Sequence, residues 1–86
     1  MKDIEKQMKA LANARRLAIL KYLKKTREAT VGDIAEEIKL SFKATSKHLG
    51  ILYAAGMLEK DQRSLAIHYR LSKAAHPVAK HMLSIL

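Results

Sequence analysis

The chain has no cysteine, and only one proline and three glycines occur among its 86 residues. Without cysteine, disulfides, thiolate metal sites and thiol redox switches are excluded. So little proline and glycine leaves no room for a flexible linker, and no internal repeat or low-complexity segment is visible. We expect one domain over residues 1–86. Because a domain of this size buries only about 60% of the surface of its unfolded chain, a second subunit would help to stabilise it.

Long apolar segments are also missing. The longest nearly apolar stretch, residues 49–58, has about half of the roughly 20 residues that a helix needs to span a bilayer. Four of the first six residues are charged, and this segment lacks the apolar run of a signal peptide. These features predict a soluble cytoplasmic protein.

Acidic side chains are scarce in the second half of the chain. The formal net charge is +9, from 17 Lys or Arg against 8 Asp or Glu, and no acid lies between Glu37 and Glu59. That gap contains Lys39, Lys43 and Lys47. Such a concentration of positive charge predicts a polyanionic partner or an acidic membrane surface.

Apolar residues at helical spacing predict helices over most of the chain. The first ten or so residues form a short amphipathic helix, and Asn13 can cap a second. Thr30 and Asp33 have the spacing of a capping box at the start of a third helix. After a three-residue turn, Ser41 can cap a fourth helix, which runs to about residue 55 and stops at Gly56. Two short helices joined by so tight a turn form a helix-turn-helix.

The chain after Gly56 is predicted to form a hairpin and a last helix. The strands are expected at residues 58–62 and 65–71, with a polar turn over residues 61–64. The alternation in the second strand directs one set of side chains to the core, namely Leu65, Ile67, Tyr69 and Leu71. Pro77 suits the first turn of the last helix. The predicted class is mainly α with a β-hairpin, a winged helix-turn-helix with the order α-α-α-α-β-β-α.

A helical wheel of the fourth helix collects Lys43, Ser46, Lys47 and Gly50 in a sector about 100° wide. The lysines can reach phosphates or guanine edges, and Ser46 can bond to a base or phosphate oxygen. A merely solvated helix face is the alternative interpretation, which the missing acids, the cap and the preceding helix disfavour. Gly50 either lets backbone approach phosphate or relieves crowding against a neighbouring helix.

Two further residues of this helix fall nearer the core. Thr45 is expected to pack, and His48 lies at the edge of the apolar sector, where a hydrogen-bonded structural role is favoured over catalysis. A phosphate contact by His48 stays open. No histidine is placed by spacing beside a carboxylate, and no glycine-rich phosphate loop occurs, so we expect no catalytic site.

Five segments carry a resemblance to a known family: LANARRLAIL (11–20), TVGDIA (30–35), SKHL (46–49), LYAAGML (52–58) and YRL (69–71). Together they resemble the ArsR-type winged helix-turn-helix repressors over nearly the whole chain. The resemblance implies a homodimer that binds double-stranded DNA at a pseudo-palindromic operator. It places the fourth helix in the major groove and the hairpin wing on the flanking backbone.

The same resemblance assigns the site residues. The predicted DNA-contacting set, including the helix start, is Ser41, Lys43, Ala44, Thr45, Ser46, Lys47, His48, Gln62, Arg63 and Ser64. The first and last helices are expected to pair between subunits through Ile4, Met8, Leu11, Val78, Met82 and Ile85. A membrane role for these amphipathic ends is less favoured because both helices are short.

Several residues depart from the family pattern. Ser64 and Leu65 stand where the wing turn often has glycine and a basic residue, which leaves Arg63 as the cation there. The cysteine and acid ligands of the metal-sensing members are missing, and His76 and His81 are five apart, so they do not share a helix face. We expect no metal and no cofactor. A metal-responsive repressor using these histidines, and a protein-interaction module within a larger complex, are the alternatives.

Overall fold

The computed structural model describes all 86 residues as five helices and three strands. Their bounds are α1 Lys2–Leu11, α2 Ala14–Thr26, β1 Ala29–Thr30, α3 Val31–Ile38, α4 Phe42–Ala54, β2 Leu58–Arg63, β3 Ala66–Leu71 and α5 Pro77–Ile85. The predicted class, mainly α with a β-hairpin, is confirmed. Strand β1 was not predicted from the sequence.

Polar caps fix where α2, α3 and α4 begin. The Asn13 side chain accepts a hydrogen bond from the amide three residues later at 3.1 Å. Thr30 and Asp33 form the full capping box, with side chain to backbone distances of 3.1 and 3.3 Å. Ser41 Oγ accepts from the Ala44 amide at 3.1 Å. These bonds satisfy amides that have no partner within the first helical turn, and they confirm the three predicted helix starts.

The connections around α4 and α5 follow from local backbone chemistry. Lys39 adopts the left-handed conformation (φ 55°) between α3 and α4, and Gly56 does so (φ 76°) after α4. Glycine pays no Cβ penalty there, so the predicted stop at Gly56 is confirmed. Helix α5 begins at Pro77, and His76 Nδ1 accepts a hydrogen bond from the Val78 amide at 3.1 Å.

One hydrophobic core joins all the helices to the base of the hairpin. Its fully buried large apolar side chains come from α2, α3, α4 and the segment after α4: Ile19, Leu20, Leu23, Ile34, Leu49, Leu52 and Met57. Burying each such side chain contributes about 1.5–3 kcal/mol relative to leaving it in water. Helix α4 is thereby anchored along its inner side, which fixes the side chains that face outward.

The three strands form an antiparallel sheet in the order β1-β3-β2. The hairpin register pairs Leu58 with Leu71 and Arg63 with Ala66, so the turn is Ser64–Leu65 and not residues 61–64 as predicted. Ser64 supports this tight turn with φ 55°.

The predicted core face of β3 is correct only at its base. Tyr69 is buried and Leu71 is half-buried, but Ile67 is 38% exposed and Leu65 is 100% exposed. The apolar face of a strand is covered only where core side chains lie beneath it. The tip of this hairpin extends past the core, so alternation there does not produce burial.

None of the helices combines the length and apolar character needed to cross a bilayer.

Candidate nucleic-acid interface

Helix α4 presents the side chains that the wheel had grouped together. Lys43, Lys47 and Gly50 are exposed on its outer side, and Ser46 is half-buried at the edge. We call these four positions the α4 outer face. No acid lies in α4 itself, so the lysines of this face have no carboxylate partner within their own helix.

Three other members of the predicted set are placed differently. Thr45 is fully buried, so its side chain does not lie at the surface that a duplex could reach. Ala44 is half-buried, and the Ser41 hydroxyl is used as the helix cap. The wheel's assignment of Thr45 to the packed side is confirmed, and the family-based inclusion of Thr45 as a DNA-contacting side chain is wrong.

His48 is tied to the preceding helices through Arg16. The Arg16 guanidinium donates to the Ala10 carbonyl at 2.6 Å and to the Lys9 carbonyl at 3.0 Å. Its Nη1 lies 3.3 Å from His48 Nδ1. Arg16 therefore links the end of α1 to the edge of α4, and the favoured structural role of His48 has a defined partner.

The surroundings of His48 favour its neutral form. Desolvation by partial burial lowers the pKa of the imidazole, and the positive charges of Arg16, Arg15 and Lys47 lower the pKa further. A neutral imidazole can accept the hydrogen bond from Arg16, whereas a doubly protonated one cannot.

Gln7 makes a second connection between α1 and α4, at the C-terminal end of α4. Its side chain is almost fully buried, and Nε2 donates to the Ala55 carbonyl at 2.7 Å. This bond satisfies a carbonyl at the helix end. Neither this bond nor the contacts of Arg16 could be predicted, because a polar residue in a helix gives no periodic signal for a partner distant in sequence.

Gly50 has open space around it. A Cβ atom built at this position would meet no heavy atom within 4 Å, and its φ is not in the left-handed region. Crowding against a neighbouring helix therefore does not explain this glycine within the subunit. The other interpretation drawn from the sequence, close approach of the backbone to phosphate, stays a prediction.

The cation predicted at the wing tip is neutralised by acids. Arg63 Nη1 and Nη2 donate to the two oxygens of Glu28 at 2.7 and 2.6 Å, and Arg63 Nε lies 3.3 Å from Asp61 Oδ1. The hydrogen bonds from Arg63 lower the pKa of the Glu28 carboxyl, and those same bonds raise the pKa of the Arg63 guanidinium. Such two-pronged pairing is the strongest geometry available to arginine and carboxylate.

A second arginine of the hairpin is also paired. Arg70 Nε lies 3.2 Å from Glu59 Oε1, and its Nη1 lies 3.5 Å from Asp61 Oδ2. Lys60, on the same strand as Glu59, places its ammonium 4.3 Å from the centre of the Tyr53 ring at the end of α4. Both arginines of the wing, including the cation predicted for its turn, are therefore balanced by carboxylates, namely those of Glu28, Glu59 and Asp61. Gln62 is exposed beside the turn, and Ser64 is exposed within it.

The predicted dimer residues lie on α1 and α5, which pack against each other within the subunit. Met8 and Ile85 are 59% and 67% exposed, and Ile4 is also exposed. Val78 and Met82 are half-buried against the core. Leu11 is only 5% exposed and belongs to the core, so its assignment to a dimer interface is corrected: its side chain is already covered by its own chain.

No group of three or more His, Cys, Asp or Glu side chains is positioned to hold a metal ion. Of the two C-terminal histidines, His76 uses Nδ1 to cap α5, and His81 is exposed.

Comparisons with known proteins agree with this architecture. The model of the family described as "Bacterial regulatory protein, arsR family" matches residues 13–60. The transcriptional activator HlyU of Vibrio cholerae is 34% identical over 79 residues, which cover 92% of this chain and 69% of HlyU.

Solved structures give the same result over almost the full length. Reduced HlyU from Vibrio cholerae superposes with a TM-score of 0.84 at 30% identity, covering 99% of this chain and 85% of that one. The homodimeric winged helix-turn-helix DNA-binding domain of Mb0332 from Mycobacterium bovis gives 0.83 at 30% identity, covering 98% and 75%. Both the fold and the absence of enzymatic character expected from the sequence are consistent with a family of regulators. The chain therefore belongs to the bacterial ArsR family of DNA-binding winged helix-turn-helix transcription regulators.

Proposed function

We propose that the protein is a homodimeric regulator that places α4 of each subunit in the major groove of a pseudo-palindromic operator. The observation that carries this proposal is the α4 outer face, where Lys43, Lys47 and Ser46 surround an open glycine backbone. The first turns of such a helix contact base edges, and neighbouring lysines bind phosphates. A dimer that occupies promoter DNA would repress transcription, and repression is therefore the output that we propose, although the relative HlyU is named an activator.

The dimer is proposed to form through α1 and α5. Met8 and Ile85 expose large apolar side chains on these adjacent helices, and exposed apolar surface of this kind marks association sites. The related Mb0332 domain is homodimeric. Two-fold symmetry would set the half-sites about one helical turn, roughly 34 Å, apart.

The wing is assigned a smaller part. With Arg63 held by Glu28 and Asp61, the polar groups left for the flanking backbone are those of Gln62 and Ser64. Most of the electrostatic attraction is therefore expected from α4.

Selection of bound sequences from a random duplex pool by the full chain tests the whole proposal. It should enrich an inverted repeat with the stated spacing. If the dimer makes about 6 to 10 phosphate contacts, affinity for the selected duplex should fall by about 10³ to 10⁵ between 50 and 200 mM salt. An isotherm that barely changes with salt, or a pool without enrichment, would contradict the mechanism and favour a protein-interaction module.

The dimer interface has its own test. Ile85→Glu should give monomers in sedimentation experiments and weaken operator binding, because it places a charge in the proposed apolar interface. Leu65→Glu is the matched control, since it makes the same kind of change at a fully exposed residue of the wing turn. Dimers that persist in Ile85→Glu would show that α5 is not the interface.

A further inference from the structure

Phe42, the only phenylalanine of the chain, occupies the first position of α4 with 63% of its surface exposed. It belongs neither to the buried core nor to the half-buried apolar side chains that pack against the core. Because exposing an aromatic ring to water is unfavourable and this ring is not packed against the core, core packing does not explain its position.

The residues around Phe42 show which side chains of the first turn of α4 are free to contact a partner. The Ser41 hydroxyl accepts from the Ala44 amide as a helix cap, so it is committed to the backbone. Ala44 is half-buried and Thr45 is fully buried. The outward side chains of the first turn are therefore Phe42 and Lys43, and the ring lies next to the α4 outer face.

We infer that Phe42 is a specificity residue that contacts the C5-methyl group of a thymine in each half-site. This inference rests on the proposed placement of α4 in the major groove. The N-terminal residues of a recognition helix contact base edges there. Phenylalanine has no donor or acceptor, and the thymine methyl is the apolar group among the base edges of that groove.

Replacing thymine by deoxyuridine tests the contact, because it removes the C5-methyl and leaves the hydrogen-bonding groups of the base in place. Losing one buried methyl should weaken binding about fourfold, and symmetric replacement in both half-sites about fifteenfold. The experiment uses the duplex selected by the wild-type chain. Each thymine position is replaced in turn, and affinity is measured by fluorescence anisotropy at fixed salt.

The wild-type protein should show one symmetric thymine position with this loss, and Phe42→Ala should bind the thymine and uracil duplexes at that position equally. Phe42→Leu, which keeps an apolar side chain, should restore part of the difference. Tyr53→Ala is the matched control, an exposed aromatic at the other end of α4 that stacks against Lys60. Tyr53→Ala should leave the uracil profile unchanged, that is, the loss of affinity at each thymine position on replacement by deoxyuridine. Because Phe42 is outside the core, its variants should keep the wild-type Tm.

Three results would overturn the inference. One is a flat uracil profile for the wild-type protein, and another is an unchanged profile in Phe42→Ala. The third is a change in the oligomeric state of the free protein on Phe42→Ala, which would assign the ring to a protein contact. If the random pool yields no enriched duplex at all, the proposed function itself fails. If the pool does yield an operator but no thymine methyl is contacted, only the inference about Phe42 fails.

Discussion

Replacing Gly50 by alanine separates the stability of α4 from its function. Glycine inside a helix costs about 0.8–1.0 kcal/mol relative to alanine, because its backbone loses more conformational freedom on folding. The added methyl would meet no heavy atom within 4 Å, so neither a clash nor a gain in packing alters this value. Gly50→Ala should therefore raise the free energy of unfolding by about 1 kcal/mol. For a domain of this size the corresponding rise in Tm is about 4–8 °C.

Thermal unfolding followed by circular dichroism measures this change, at one fixed protomer concentration because the proposed dimerisation would make Tm depend on concentration. The calibration is Ala18→Gly, the reverse replacement at an exposed position inside α2, which should lower stability by a similar amount. If Gly50→Ala is neutral or destabilising while Ala18→Gly behaves as expected, the space around residue 50 is occupied in the assembled protein.

DNA affinity gives the second readout for the same variant. If the glycine is retained because a phosphate or base approaches its backbone, the methyl of Gly50→Ala will weaken operator binding while the protein becomes more stable. A stabilising substitution that weakens binding is difficult to explain by damage to the fold. Equal or tighter binding by the variant would show that DNA does not approach this backbone closely.

Three further predictions concern charge. Glu28→Gln should remove one of the two acids that pair with Arg63 and leave only Asp61, so DNA affinity should rise and the magnitude of the salt slope should increase by up to about one. Glu36→Gln, which removes an exposed acid without an ion pair, serves as the control. Lys47→Ala should weaken binding in gel shifts across all sequences and reduce the slope by about one if it binds phosphate, or relax sequence preference if it binds a base. Because the pKa of His48 is lowered in the folded state, the unfolded chain binds the extra proton first. The free energy of unfolding should thus fall as the pH drops through about 6.5. Urea melts at about pH 7.5 and 5.5 should show a smaller decrease for His48→Gln than for the wild type.

Local chemistry explains why much of the fold could be predicted from the sequence. The start of α3 needs only Thr30 and Asp33, three residues apart, and the end of α4 needs only a glycine at the right place. Each signal is complete within one helical turn. The same holds for the α4 outer face, since the wheel depends on helix geometry alone.

Features that depend on distant residues could not be predicted in this way. Strand β1 has two residues, too few for any alternation, and it exists because Ala29 and Thr30 pair with β3. The partner of Arg63 lies 35 positions earlier in the chain. Leu65 has the right period for the core face but occupies the turn, because the register of the hairpin and the extent of the core beneath it are tertiary properties.

The pairing of Arg63 changes how this winged helix would be oriented on a duplex. A basic wing and a basic helix would share the attraction to phosphate, and either could dominate the first encounter. Here Glu28, Glu59 and Asp61 offset the wing arginines, whereas α4 carries two exposed lysines and no acid. Of these two elements, α4 therefore presents the more positive field to a duplex. Sequence preference should in turn depend on the side chains of its first turns more than on the wing.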